Sequence, residues 1–228
     1  MASSRPVVVA IDGPSGVGKS TAARRLARRL GIPFLDTGAM YRAIALRVLE
    51  SGIDPADQAA VERLAAGADV SLEAGPDGSF AVLLAGRPVE PAIRAPEVGA
   101  ATSTIAAYPG VRRRLVALQR AAAARQGGVL EGRDIGTRVF PETPYKFFLD
   151  ARSEVRHRRR YDELAAAGST VSFAQVVDDL ACRDHRDSTR SDSPLTRDPS
   201  YTFIDASDLG IDEVVDAMAA AIARTPAG

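Results

Sequence analysis

Asparagine is missing from all 228 residues of this chain, and lysine nearly so: 27 of the 29 basic side chains are Arg, leaving Lys19 and Lys146. Without Asn there is no Asn-Lys-x-Asp motif, so a guanine-reading GTPase is excluded. Cysteine occurs once, at Cys182, which rules out an intramolecular disulfide framework and fits a reducing compartment. It reads as an ordinary thiol, not a nucleophile. No stretch of about 18 uncharged apolar residues is present, so no membrane span is expected. The opening MASSRPVVVAIDG lacks the basic start, long apolar stretch and small-residue cleavage site of a secretory signal, and a cytoplasmic location is expected. Net charge is also lacking, since 29 basic and 29 acidic side chains cancel. That balance argues against a general polyanion binder, so neither nucleic acid nor membrane is an expected partner.

Apolar residues make up 46% of the chain, enough for a well-buried core in one large α/β domain. Five short apolar segments read as strands: Val7–Ile11, Pro33–Leu35, Gly128–Leu130, Tyr145–Leu149 and Tyr201–Ile204. Each ends at a polar or glycine-containing turn: DGPSG, DTG, EGRD, DARS and DAS. Helical patterns lie between them. Lys19–Leu30 is one; Tyr41, Ile44, Val48 and Leu49 form a second stripe; Ile211, Val214, Val215, Met218 and Ile222 form the last. Alternating strands and helices predict a mostly parallel five-stranded sheet flanked by helices, with ligands at the carboxyl ends of the strands.

Two regions interrupt this alternation. Ala68–Pro91 alternates with period two around Pro76-Asp77-Gly78 and a Gly-Arg-Pro turn, predicting a small antiparallel β insertion of two or three strands. Arg152–Asp198 reads as helical, rich in Arg and Asp, and poor in apolar residues beyond His185. Few apolar contacts mean low local stability, which marks this stretch as a candidate lid. The expected organisation is a single domain over 1–228, with the insertion at about 67–100 and the lid at about 152–198.

The strongest local signal is Gly13-Pro14-Ser15-Gly16-Val17-Gly18-Lys19-Ser20, followed by Thr21. A predicted strand precedes it and a predicted helix follows, the context a P-loop requires. Glycines let backbone N–H groups converge on phosphates, and the helix N-terminus adds partial positive charge. Lys19 is expected between the β- and γ-phosphates of a nucleoside triphosphate and the Ser20 hydroxyl on Mg²⁺. A compact ammonium retained in a chain that otherwise writes Arg supports that reading.

Further segments resemble the bacterial cytidylate kinase family almost end to end. They are IDGPSGVGKST (11–21), LDTGAMYR (35–42), IRAPEVGAATSTIAAYPGVRRRL (93–115), EGRDIGT (131–137), FFLDA (147–151) and RDHRDSTRSDSPL (183–195). The resemblance implies a P-loop kinase core with a monophosphate-binding insertion and a helical Arg-rich lid. It also implies ATP and CMP or dCMP as substrates, with Mg²⁺ as cofactor; a monomer is expected, although nothing in the sequence gives the oligomeric state. Carried over by motif, Thr37 and Arg42 would hold the acceptor phosphate, although from the residues alone Thr37 reads as a helix cap and Arg42 as a solvated side chain. Ser103, Arg112 and Asp134 would read cytosine and Arg133 would meet phosphate. Arg183 and Asp187 would take the nucleoside, with Asp187 on the sugar hydroxyls, and Arg190 would bind phosphate. Arg183, Asp187 and Arg190 share one face if helical. In RHRRR (156–160), Arg156 is the candidate for ATP, though which arginine of this group reaches it stays open. Arg113 and Arg114 read as helix-surface charges, and His157 and His185 show no metal-ligand pattern. Thr37 replaces a frequent Ser and Glu131 a common Asp, the latter near the expected metal waters.

The reaction implied is in-line transfer of the γ-phosphoryl group to an α-phosphate oxygen, with Lys19, Arg42 and Arg133 as the charge-stabilising residues. Two other readings stay open on the sequence: a P-loop kinase for UMP, AMP or a metabolite, and a non-catalytic ATP-gated module that binds nucleic acid.

Overall fold

A strand buried on both faces has to divide its side chains between two cores, and the first strand does so. In the computed structural model, which describes residues 6–75 and 78–225, β1 (Val8–Asp12) gives Ala10 to one apolar cluster and Val9 and Ile11 to another. It lies at the centre of a five-stranded sheet ordered β2 (Phe34–Asp36), β6 (Gly128–Gly132), β1, β7 (Tyr145–Asp150), β8 (Thr202–Asp205). Every neighbouring pair is parallel. All five predicted strands are present. Each runs past its apolar residues into the acidic residue beyond: Asp12, Asp36, Glu131, Asp150 and Asp205. Pairing therefore continues through residues that the polarity pattern assigns to turns, and lines carboxylates along the sheet's carboxyl edge.

Helix α1 (Lys19–Leu30) turns Ala22, Ala23, Leu26 and Ala27 inward and packs beside α8 (Ile211–Arg224), which buries Val214, Val215 and Met218. Arg25–Asp212 and Arg29–Asp216 pair along their exposed seam. On the other face lies α2 (Thr37–Glu50), whose cap is Asp36, not Thr37: the Asp36 carboxylate accepts from Ala39 N–H at 2.9 Å. Next come α3 (Gln58–Gly67) and a three-stranded antiparallel sheet of β3 (Val70–Ala74), β4 (Phe80–Leu84) and β5 (Arg87–Pro88). The Pro76-Asp77 part of the expected turn lies outside the described residues. Beyond it, Gly78 O accepts from Phe34 N–H at 2.9 Å and Ser79 bridges Phe34, so the hairpin end seats on the outer edge of β2. Helices α4 (Pro96–Ile105) and α5 (Pro109–Gln126) lead back to β6.

Between β7 and β8 stand α6 (Ser153–Ala166) and α7 (Phe173–Thr189). Helix α6 buries only Arg156, and α7 only Val176 and Leu180. Arg190 departs from the expected helical face. The helix ends at Thr189, and Arg190 is extended, at φ −60° and ψ 141°. Its Nε donates to Ser193 O at 2.6 Å while Leu195 N–H bonds Asp187 O at 2.7 Å, because the Ser-Asp-Ser-Pro run folds back on the helix end. Among the described residues, no helix is long and apolar enough to cross a membrane.

Candidate functional site

Strand β1 delivers the chain into the glycine-rich loop under tight steric control. Gly13 has φ 150°, and a Cβ there would lie 2.0 Å from Leu149 O, so only glycine fits. Gly18 caps α1 without a side-chain hydrogen bond, and no acidic residue stands in the first turn. The helix N-terminus is thereby left for an anion. Lys19 is buried at 5% exposure and donates from Nζ to Pro14 O at 2.6 Å. Burial, then the neighbouring Arg133 cation, lower its pKa to about 7, opposed by Glu131, Asp187 and Asp12. The Ser20 hydroxyl donates to the buried Glu131 carboxylate. Burial, then the nearby Asp36 carboxylate, push Glu131 above the usual range, with Lys19 pulling it back.

The carboxyl end of β6 supplies a second group. Arg133 Nε donates to Asp187 at 2.7 Å and its Nη2 to Ser15 Oγ at 2.7 Å, tying this turn to the P-loop and to α7. Asp187 is held below its ordinary pKa: burial would raise it, but Arg133, Arg190 and Lys19 outweigh that. Arg112, from α5, pairs with Asp134, and only 4% and 7% of the two side chains is exposed. Arg190 lies 3.6 Å from the other oxygen of Asp134 and 3.8 Å from Asp187. The Arg112 guanidinium also sits 5.7 Å from the Tyr41 ring centre. Two cations thus share one carboxylate, and little of the three side chains is exposed.

At the end of β2, the Thr37 hydroxyl is spent inside the protein, donating to Glu131 O at 2.6 Å. Arg42 pairs with Asp36 at 2.8 Å, and Arg94 approaches the same oxygen at 3.5 Å. Ser103 Oγ accepts from Arg186 at 3.1 Å. Arg113 is exposed as expected, but Arg114 is half-buried and its Nε is buried.

One cleft of about 910 Å³ gathers these residues. It is lined by Ser15, Gly16, Val17, Gly18, Lys19, Ser20 and Thr21, by Thr37, Arg42, Ser103, Arg112, Arg133 and Asp134, and by Arg183, Asp187 and Arg190. Gly13 and Pro14, which open the loop, are not part of the lining. Arg156 does not line the cleft: it is buried beneath the loop, donating to Ser15 O at 3.0 Å and to Asp184 at 2.6 Å. The rotation of α6 brings Arg159 and Arg160 into the lining instead. Among the described residues, no cluster of His, Cys, Asp and Glu could hold a metal on its own.

Sequence reasoning missed four residues that organise the site: Asp12, Asp36, Arg94 and Asp184. Asp12 is fully buried and accepts from the backbone N–H groups of Ile135 and Gly136 at 2.9 and 2.8 Å and from the Tyr201 hydroxyl at 2.6 Å. Asp184 lies 3.4 Å from Ser15 N. For Asp12 and Asp36 a signal existed, a carboxylate closing an apolar strand. For Arg94 and Asp184 there was none short of the fold.

Comparison with known proteins follows the same line. The sequence profile of the family described as "Cytidylate kinase" matches residues 9–224. A protein of that name from Corynebacterium glutamicum is 51% identical over 211 residues, covering 92% of this chain and 91% of its own. Another, from Pelotomaculum thermopropionicum, is 47% identical over 220 residues, covering 96% of each. Among solved structures, an uncharacterized protein from Eubacterium ventriosum superposes with a TM-score of 0.57 at 15% identity, covering 97% of this chain and all of that one, a likeness of fold alone.

Proposed function

The chain belongs to the cytidylate kinase family, and on that footing we propose that it transfers the γ-phosphoryl group of ATP to CMP and dCMP. An oxygen of the acceptor α-phosphate forms a bond to the γ-phosphorus as the bond to the ADP oxygen breaks, giving a cytidine diphosphate and ADP. The attacking oxygen is already anionic near neutral pH, so no general base is needed and catalysis is alignment plus charge stabilisation.

The observation that carries this reading is one cleft lined by both the P-loop and the Arg112–Asp134–Arg190 group. Cytosine presents an amine donor beside two acceptors. A carboxylate flanked by guanidinium groups matches that pattern, and uracil reverses part of it. Arg133, bonded to Ser15, is suited to bridge the two phosphates, with Lys19 on the donor side and Arg42 on the acceptor side. Ser103 would complete the base contacts, and Arg183 and Asp187 would meet the sugar.

The donor set fits Mg²⁺, a hard cation that takes oxygen ligands: Ser20 would hold it, with Glu131 directly behind the hydroxyl. When bound, the ion supplies charge neutralisation on the β- and γ-phosphate oxygens. Segment 67–100 is proposed as the monophosphate-side insertion. Segment 152–198 is proposed as the lid, a role supported by the scarcity of buried apolar side chains in α6 and α7. The lone, exposed Cys182 supports a cytoplasmic site of action.

A coupled ADP-release assay over CMP, dCMP, UMP, AMP and small-metabolite acceptors tests the assignment. Turnover should be strongest with CMP or dCMP. Equal turnover across the panel, or none with the cytidine nucleotides, overturns it.

A further inference from the structure

A turn that carries recognition residues needs its ends fixed, and here one side chain from another element does that. Arg133 and Asp134 form a two-residue step between β6 and a single π turn, Ile135–Val139. The first N–H groups of any helical turn lack partners within it. Those of Ile135 and Gly136 are taken by the two oxygens of Asp12, at 2.9 and 2.8 Å, across 123 and 124 residues of sequence. The backbone of the same residue is paired with Gly132 in the β1–β6 ladder. Asp12 therefore brackets the Arg133-Asp134 step, holding the chain before it by main chain and after it by side chain. It also stands directly before Gly13, where the P-loop begins.

The Tyr201 hydroxyl donates to Asp12 at 2.6 Å, and its ring is wedged edge-on against Phe148 with centres 5.9 Å apart. Gly136 leaves room for this: a Cβ there would meet the Tyr201 hydroxyl oxygen at 2.7 Å. Desolvation is the main influence on Asp12, pushing its pKa up against the three hydrogen bonds it accepts. No residue assigned a substrate contact above is part of this cluster, although the Asp12 charge also acts on Lys19.

We propose that Asp12, steadied by Tyr201, is a positioning residue that fixes Arg133 and Asp134 relative to the P-loop and so sets acceptor binding from beneath the site. The proposal rests on the CMP kinase reading for its substrate, but the bracket is a property of the fold and can be tested without one.

Tyr201→Phe is the cleanest variant, since it removes one hydrogen bond and leaves the Asp12 charge near Lys19 in place. KM for CMP should rise about three- to tenfold, the worth of one hydrogen bond, while KM for ATP stays within about twofold. Asp12→Asn puts an amide N–H₂ against a backbone N–H, and kcat/KM for CMP should fall about tenfold to a hundredfold. Amide hydrogen exchange read by NMR at Ile135 and Gly136 should quicken in Tyr201→Phe, with protection in β1 and α1 retained. A purely structural role would lower Tm and scale kcat with the active fraction, leaving the ratio of the two KM values untouched. An unchanged KM for CMP, an equal rise in both KM values, or unaltered exchange at 135 and 136 overturns the proposal. If the wild type ignores CMP, the acceptor assignment fails, and the exchange measurement still decides whether Asp12 and Tyr201 hold the turn.

Discussion

Asp134→Asn probes the acceptor pocket with almost no change of volume. In the native pocket one Asp134 oxygen belongs to Arg112 and the other lies 3.6 Å from Arg190. The variant amide has one acceptor left, and the buried Arg112 guanidinium claims it. The N–H₂ then takes the second position, beside Arg190 and, on the proposed reading, toward the base. There it opposes the cytosine amine, donor against donor, and suits the uracil carbonyl. Losing a charge-assisted hydrogen bond costs about 1.5–3 kcal/mol, which lowers the CMP-to-UMP ratio of kcat/KM by about 10- to 150-fold. Removing the anion also leaves two guanidinium groups in a pocket where Asp134 is 7% exposed. The stability cost is about 3 kcal/mol, the low end for a broken buried pair because Asn still accepts from Arg112. For a chain of 228 residues that lowers Tm by about 6–12 °C. The assay is ADP release at varied CMP and UMP, run alongside a thermal melt. A folded variant with the native CMP-to-UMP ratio would refute the reasoning, even if its overall rate had fallen.

Among the described residues that line the cleft, Lys19 carries the only ammonium, and Lys19→Ala should drop kcat about 10²–10³-fold, the usual cost of losing one fixed stabilising group. Steady-state kinetics with saturating ATP checks this, and a change confined to KM for ATP contradicts it. Asp187→Asn should lower stability by about 1–3 kcal/mol through its lost bond to Arg133. Because the folded pKa of Asp187 lies below its free-chain value, that contribution is present above about pH 4 and is lost as pH falls through the folded value. Melts of both proteins should thus differ equally at pH 7 and 5 and converge only below about pH 4. Convergence already near pH 6 would show that another group carries the effect.

The sheet and both irregular regions were legible because burial on two faces leaves uninterrupted apolar runs, and because period two differs from period 3.6. The P-loop was legible because its backbone geometry demands particular residues at fixed spacing. Strand ends were less so: Glu131 and Asp150 look like turn residues yet pair within the sheet, since hydrogen bonding along a ladder is indifferent to polarity. Thr37 shows a different limit. From the residues alone it reads as a helix cap, and only the fold gives the cap to Asp36 and shows the Glu131 carbonyl that takes the Thr37 hydroxyl. Arg156 and Arg190 show a third limit. The rotation of α6 puts the Arg156 guanidinium beneath the loop and not in the cleft, while α7 ends one residue before Arg190, which reaches the cleft from an extended residue and not from the shared helical face. Asp12 was invisible as a bracket because its partners lie more than 120 residues away.

The hairpin end resting on Phe34 also bears on anyone who would trim this chain to a minimal core. Strand β2 is three residues long and is the last in its sheet on that side, and its outer backbone finds a partner in Gly78 and Ser79. Cutting away 70–88 would remove that partner and present a naked strand rim to other molecules, the usual seed of sheet-to-sheet aggregation. A shortened version would need a new guard at that rim, such as a lysine or proline in place of the lost hairpin, before it could be handled at high concentration.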